Sequence, residues 1–171
     1  MDGLSVRQAQ VRDISSLGEF ARFTYAKAFG HSFDPDDLSR HLTHNLSTEY
    51  FRDANIADII LLAEQDARLI GYVQFGAAHV PMASAEDREL RRIYVHPDFQ
   101  NKGVGKTLMD AALAHPQLAA ARDVYLDVWD RNLGARALYK RYDFNVVGAH
   151  KMALSSGESQ DDDLIMVRKQ R

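Results

Sequence analysis

Residues 98–112 read DFQNKGVGKTLMDAA, a glycine-spaced run that opens into an amphipathic pattern. Just ahead of it, Arg92-Ile93-Tyr94-Val95 has the look of an apolar strand, closed by His96-Pro97. Behind it, Val104, Leu108, Ala111 and Ala112 recur at helical spacing until His115-Pro116 stops them. Strand, tight loop and helix outline an anion site. Gly103 and Gly105 carry no side chain, so backbone can approach a ligand closely, and the N–H groups of a first helical turn are free to point at phosphate. Lys102 and Lys106 add positive charge beside them.

Two well-known phosphate loops fail on this stretch. A Walker A loop needs G-x-x-x-x-G-K-[ST]; Gly105-Lys106-Thr107 supplies its end, but Gln100 stands where the first glycine belongs. The dinucleotide fingerprint G-x-G-x-x-G matches at Gly103 and Gly105, then meets Leu108, and no opening βαβ unit surrounds it.

The pattern that remains is Q-x-x-G-x-G, at Gln100-Asn101-Lys102-Gly103-Val104-Gly105. It resembles the pyrophosphate loop of GCN5-related N-acetyltransferases. The strand ending Ile93-Tyr94-Val95-His96-Pro97, then Asn132, and then Ala137-Leu138-Tyr139-Lys140-Arg141 match that family in type and spacing, over roughly residues 60–148. One departure is plain: Asp143-Phe144 stands where the family has Gly-Phe, and aspartate can take the left-handed conformation required there at some cost.

The resemblance implies an α/β fold with a single mixed, mostly antiparallel twisted sheet, splayed at its central strands and flanked by helices on both faces. It also implies acetyl-CoA as cosubstrate. Backbone groups of Ile93, Tyr94 and Val95 would pair with pantetheine as an added strand would, with the Val95 N–H at the oxyanion. Gln100, Asn101, Lys102, Gly103, Val104, Gly105 and Lys106 would cradle the pyrophosphate. Asn132, Ala135 and Tyr139 would line the pantetheine arm, and Tyr139 matches the family's general-acid tyrosine. Family members often form homodimers.

At 171 residues the chain has the length of one sizeable core, and one domain over 1–171 is the expectation. With 46% hydrophobic and 26% charged residues the composition is globular, no apolar run reaches membrane-span length, and the start has no signal-like stretch. That points to the cytoplasm. A net charge of −3 argues against a nucleic-acid partner. The absence of cysteine excludes disulfides, thiolate metal sites and a cysteine acyl-enzyme, so acetyl transfer would be direct.

Along the chain, residues 4–10 alternate as a strand, and Asp13 is placed to cap a helix whose apolar face runs from Ile14 to Phe29 until Gly30 closes it. A second helix is predicted from Asp34-Pro35 to Leu46. Its polar face carries His41 and His44, near His31, and spacing of this kind reads as a solvated face rather than a metal site. Strands are predicted at 59–64 and 69–77 around a hairpin turn at 65–68. Residues 78–87 read as an irregular connection, followed by a strand at 88–95 whose phase slips, which predicts a β-bulge near Arg91-Arg92. A strand at 124–129 leads to a helix opened by Asn132, in which Leu138 and Tyr142 form the buried face. The end is an antiparallel pair, 146–154 and 164–168, around a polar loop at 155–163.

Acyl transfer to an alkylammonium, with a pKa of about 10.4 and roughly one part in a thousand neutral near pH 7, needs a proton acceptor. Glu89 lies eleven residues before Gln100, the interval at which the resemblance places a glutamate base acting through water. The plain alternative is a strand carboxylate paired with Arg88, Arg91 or Arg92. The departing thiolate needs a proton donor, which is the role for Tyr139. For the acceptor, Gly148-Ala149-His150 and Asp163-Leu164-Ile165-Met166 resemble the bacterial spermidine/spermine N-acetyltransferases. Asp34, Asp36 and Asp37, with Glu158, Asp161, Asp162 and Asp163, suggest carboxylates for a polyamine. The other acceptors are a peptide or protein N-terminus or another small amine. A non-catalytic acyl-CoA-binding module on the same fold is the reading from a different class.

Overall fold

The computed structural model describes residues 3–154 and 157–170, and at 152–154 and 157–161 the backbone alone. In chain order the elements are β1 (Leu4–Gln8), α1 (Ile14–Phe29), α2 (Pro35–Asn45), α3 (Thr48–Ala57), β2 (Ile59–Gln65), β3 (Arg68–Ala77) and β4 (Arg88–Val95). There follow α4 (Val104–Ala114), α5 (Pro116–Ala119), β5 (Asp123–Trp129), α6 (Leu133–Lys140), β6 (Asn145–Leu154) and β7 (Gly157–Lys169).

The strands form one seven-stranded sheet in the order β1-β2-β3-β4-β5-β7-β6. β1 with β2, β5 with β7 and β6 with β7 are antiparallel, and β4 with β5 is parallel. The parallel register covers Arg88↔Val124 and Glu89↔Tyr125, while β4 goes on to Val95 and β5 to Trp129. This is the mixed, mostly antiparallel sheet that the resemblance implies.

The chain divides into two compact units, residues 1–74 with 92–113 and residues 75–91 with 114–171, and β3 and β4 each run from one into the other. The core of the first gathers Leu17, Ala21 and Tyr25 of α1, Phe51 and Ala54 of α3, and Ile60, Leu62 and Tyr72 of the sheet. In the second, Val80 packs with Tyr125, Ile165 and Val167.

Several sequence expectations hold at the level of single residues. Asp66 and Ala67, at φ 51° and 61°, make a two-residue hairpin turn between β2 and β3. Asp143 takes φ 63°, the left-handed conformation that its glycine-like place demands. Asn132 caps α6, its Oδ1 accepting the Ala135 N–H at 3.1 Å.

Other expectations are corrected. α3 was not foreseen, although Ser47 caps it by accepting the Tyr50 N–H at 2.9 Å. Gly30 follows α1 with φ −55°, so its freedom is not used, and a 3-10 turn follows instead of a left-handed stop. Asp13 stands at the head of α1 but does not cap it. Its carboxylate accepts from Arg7 at 2.7 and 2.9 Å and from the Gln10 N–H at 2.8 Å. The polar stretch expected as a loop at 155–163 is strand β7 from Gly157 onward, because its backbone pairs with β6. Residues 155–156 lie outside the described residues.

Candidate active site

The glycine loop lies in the first of the two units. β4 ends at Val95, and the His96 N–H donates to the Ile70 carbonyl at 2.9 Å, fixing the strand end against β3. Pro97–Phe99 form a 3-10 turn, and the Gln100 side chain then reaches back to the Val95 carbonyl at 3.3 Å. Asn101 (φ 58°) and Gly103 (φ 85°) are both left-handed, and α4 starts at Val104. Left-handed residues set just before a helix make a concave row of N–H groups, continued by the first turn's own.

A Cβ built on Gly103 meets nothing within 4 Å, so the protein leaves that space open. Gly71 does the opposite work: a Cβ there would come within 3.0 Å of both Leu108 Cδ1 and the Tyr94 carbonyl. This absence of a side chain lets α4 lie close on the sheet with its N-terminus beside the end of β4. Val104, Leu108, Met109 and Ala112 are its buried stripe. The backbone conformation, the helix N-terminus and the open space together fit a pyrophosphate.

The two lysines differ. Lys102 lies 5.5 Å over the Phe99 ring, on the loop itself. Lys106 is turned along the helix to Asp110 at 2.6 Å, so its charge is partly offset locally. Ile93, Tyr94 and Val95 are half-buried. The Tyr94 ring stacks on Tyr72 at 5.8 Å and lies 6.2 Å from Tyr25, which anchors the strand by its side chain and leaves the backbone to other work.

In the other unit, Tyr139 is 5% exposed and its ring lies 6.0 Å from that of Phe144. It is the buried residue of α6, while Leu138 and Tyr142 are half-buried; the sequence expectation had this reversed. The turn after α6 explains it, since the Phe144 N–H donates to the Tyr139 carbonyl and folds the buried Phe144 ring back beneath Tyr139. Asn132 and Ala135 are half-buried at the start of the same helix.

Glu89 is held. Its carboxylate accepts the His79 N–H at 2.7 Å and lies 3.3 Å from the Arg91 guanidinium, which itself donates to the Ala77 carbonyl at 2.7 Å. Of the three arginines that could pair with it, Arg91 does. Arg88 donates to the carbonyls of Ala85 and Asp87.

The acidic residues have local tasks as well. Asp34 caps α2 through the Asp36 N–H at 2.9 Å, and Asp37 is buried. Asp162 pairs with Lys151 at 2.9 Å. The side chains of Glu158 and Asp161 lie outside the described residues. His41 stacks on Tyr25 at 4.3 Å, and burial, with the charge of Arg92 behind it, pushes its imidazole down to about 4. Among the described residues no group of three His, Cys, Asp or Glu could hold a metal ion, and no helix is long and apolar enough to cross a membrane.

One network escaped sequence reasoning. Arg92 on β4 donates to the Tyr50 hydroxyl and to Gln74 Oε1, and Gln74 Nε2 donates to Tyr50 and Asp58. The available signal was a charged residue alternating with Tyr94 on the core side of a strand.

A family model described as "Acetyltransferase (GNAT) family" matches residues 21–144. An uncharacterized N-acetyltransferase of Mycobacterium tuberculosis is 29% identical over 161 residues, 92% of this chain and 97% of the relative. A spermidine N(1)-acetyltransferase of Thermoplasma acidophilum is 28% identical over 112 residues, 62% of this chain and 66% of that one. The crystal structure of the PaiA N-acetyltransferase of T. acidophilum with coenzyme A superposes with a TM-score of 0.78 at 21% identity, covering 98% of this chain and 99% of that one. The matched segment holds the strand end, the glycine loop, Asn132 and Tyr139, and the chain is an N-acetyltransferase that belongs to the acetyltransferase (GNAT) family.

Proposed function

We propose that the chain, as one catalytic domain, transfers the acetyl group of acetyl-CoA directly to a primary amine. The observation that carries the donor is the loop at 100–105: two left-handed residues, a helix start at Val104, and open space where a Gly103 side chain would be. Acetyl-CoA supplies an activated thioester. The first-turn N–H groups of α4 and Lys102 hold the pyrophosphate, and the Ile93–Val95 backbone aligns the arm. Tyr139 donates a proton to the leaving sulfur. Glu89, fixed by His79 and Arg91, takes a proton from the acceptor ammonium through water. Without cysteine there is no thiol for an acyl-enzyme, which supports direct transfer. Calorimetry with acetyl-CoA, with thiol release followed over an amine panel, tests the reading. Tight donor binding without turnover on any amine would make the protein a binding module instead.

A polyamine acceptor is supported by the likeness to the spermidine acetyltransferase. It draws less from the carboxylates, since Asp34, Asp37 and Asp162 are occupied by a cap, by burial and by Lys151. Rates for spermidine against a monoamine of similar length, over a salt series, decide it: capture by charge requires a lead at low ionic strength that fades as salt rises.

A further inference from the structure

Arg92 is half-buried on β4, and among the described residues the groups it bonds are neutral. Nη1 donates to the Tyr50 hydroxyl and, at 3.1 Å, to Gln74 Oε1; Nη2 donates to the Asn45 carbonyl at 3.3 Å; the guanidinium carbon lies 4.6 Å from the centre of the Tyr50 ring. Among the described residues no carboxylate pairs with it. Asp58, the acid of this network, stands one step back, bonded at 2.7 Å to Gln74.

Other half-buried arginines of this chain are neutralised directly: Arg7 by Asp13 and Glu64, and Arg91 by Glu89. A guanidinium withdrawn from water without an opposite charge is costly, and the cost falls when an anion arrives. His41 brings no such charge, being neutral near pH 7.

Unused donors surround the same point. Of five guanidinium N–H groups three are engaged, leaving two. The Tyr50 oxygen already accepts from Arg92 and from Gln74 Nε2 at 2.9 Å, so its own hydrogen is available to donate. The Tyr72 hydroxyl, close enough to feel the Arg92 charge, is buried with no hydrogen-bond partner. The Asn45 end of the network is exposed.

We propose that Arg92 and the Tyr50 hydroxyl grip a carboxylate on the acceptor, so that the acetylated amine belongs to a molecule with a free acid end, an amino acid or short peptide. The inference rests on the acetyltransferase reading above. It is an alternative to the polyamine reading, because a polyamine would bring like charge to Arg92. Val95, assigned above to the reacting end of the donor, is three residues along the strand, roughly 10 Å at about 3.3 Å per residue. A peptide advances about 3.5 Å per residue, so a dipeptide or tripeptide spans that interval.

The test compares alanyl-alanine with its C-terminal amide and with spermidine, as acceptors and as ligands of the CoA-saturated protein, in wild type, Arg92→Met and Tyr50→Phe. The wild type is expected to prefer the acid over its amide by about tenfold or more, the range of a hydrogen-bonded charge pair. Arg92→Met should bring that ratio close to one, and Tyr50→Phe, which keeps the ring, should lower it by a smaller factor. The binding arm reads the preference even if turnover is absent, which keeps this inference separate from the fate of the catalytic reading. The inference is overturned if the wild type binds acid and amide alike, binds neither, or prefers spermidine, or if Arg92→Met lowers thermal stability and leaves the acid-to-amide ratio where it was.

Discussion

The Tyr139 ring lies tilted against that of Phe144, so Tyr139→Phe keeps the contact and removes one O–H group. The expected result is a fall in kcat on the order of a hundredfold with the Kd for acetyl-CoA nearly unchanged, because the donor acts only in the transition state. A wild-type rate would return Tyr139 to the core. Glu89→Gln still accepts the His79 N–H but loses its charge toward Arg91. Its rate should drop most at low pH, where unprotonated amine is scarcest, and a pH profile against wild type reads this.

His150 offers a pH test of stability. Burial pulls its imidazole down, but the hydrogen bond to Asp127 at 3.1 Å and the charges of Asp127 and Asp163 outweigh that and hold it above its ordinary value. A folded-state pKa raised above 6.5 stabilises fully below that value and fades as pH climbs through the raised one. Asp127→Asn should therefore lower Tm at pH 6 and make little difference by about pH 9, an effect kept small by exposure of both partners. At this scale the sequence was legible in part: Ala137-Leu138-Tyr139-Lys140-Arg141 marked the tyrosine as a candidate. It did not show the burial of Tyr139, because helical spacing tells which residues share a face and not what folds over it.

Among the elements, α4 and its seat on the sheet carry the proposed donor site. Gly71→Ala would press a methyl onto the Tyr94 carbonyl and the Leu108 side chain, both at 3.0 Å, and a backbone carbonyl cannot swing aside. A loss of about 1–3 kcal/mol is expected by denaturant titration, together with weaker acetyl-CoA binding as α4 is displaced. Gly103→Ala meets no protein atom, so its stability cost is the left-handed strain alone, about 1–2 kcal/mol, and the larger loss should be in donor affinity.

At the other end, Arg7 ties β1 and β2 to the start of α1, and its hydrogen bonds hold the Asp13 carboxyl down to about 2. A depressed carboxyl stabilises above its unfolded value of 3.8 and loses that stabilisation as pH falls toward 2, so Asp13→Asn should flatten the acid limb of the stability curve between these values.

The sequence yielded the strands from alternation and the glycine loop from its spacing. It hid α3, where only Phe51 and Ala54 are fully buried and the apolar face is too sparse to stand out. It also hid the first half of β7, where Gly157, Glu158, Ser159, Gln160 and three aspartates have poor strand propensity and pairing with a neighbouring strand decides the conformation.

For the whole molecule, acetyl-CoA at a hundred times its Kd should stabilise the fold by about 2.7 kcal/mol, and a thermal shift reads it. ATP with Mg²⁺ should give none, since the glycine that a Walker loop needs is Gln100. Stabilisation by ATP and none by acetyl-CoA would reverse the reading of the loop.

β6 closes one side of the sheet, with the backbone register shifting between Val146 and Gly148 and again between Lys151 and Ala153. Val146 and Val147 are 50% and 47% exposed there. A straight outer strand bearing such residues is a template on which unfolding chains can stack, whereas a kinked one offers no continuous row of amides to copy. The irregularity is thus a safeguard of solubility: deleting Val147, which would remove the first of the two register shifts, should leave secondary structure in place and raise light scattering as the protein is concentrated.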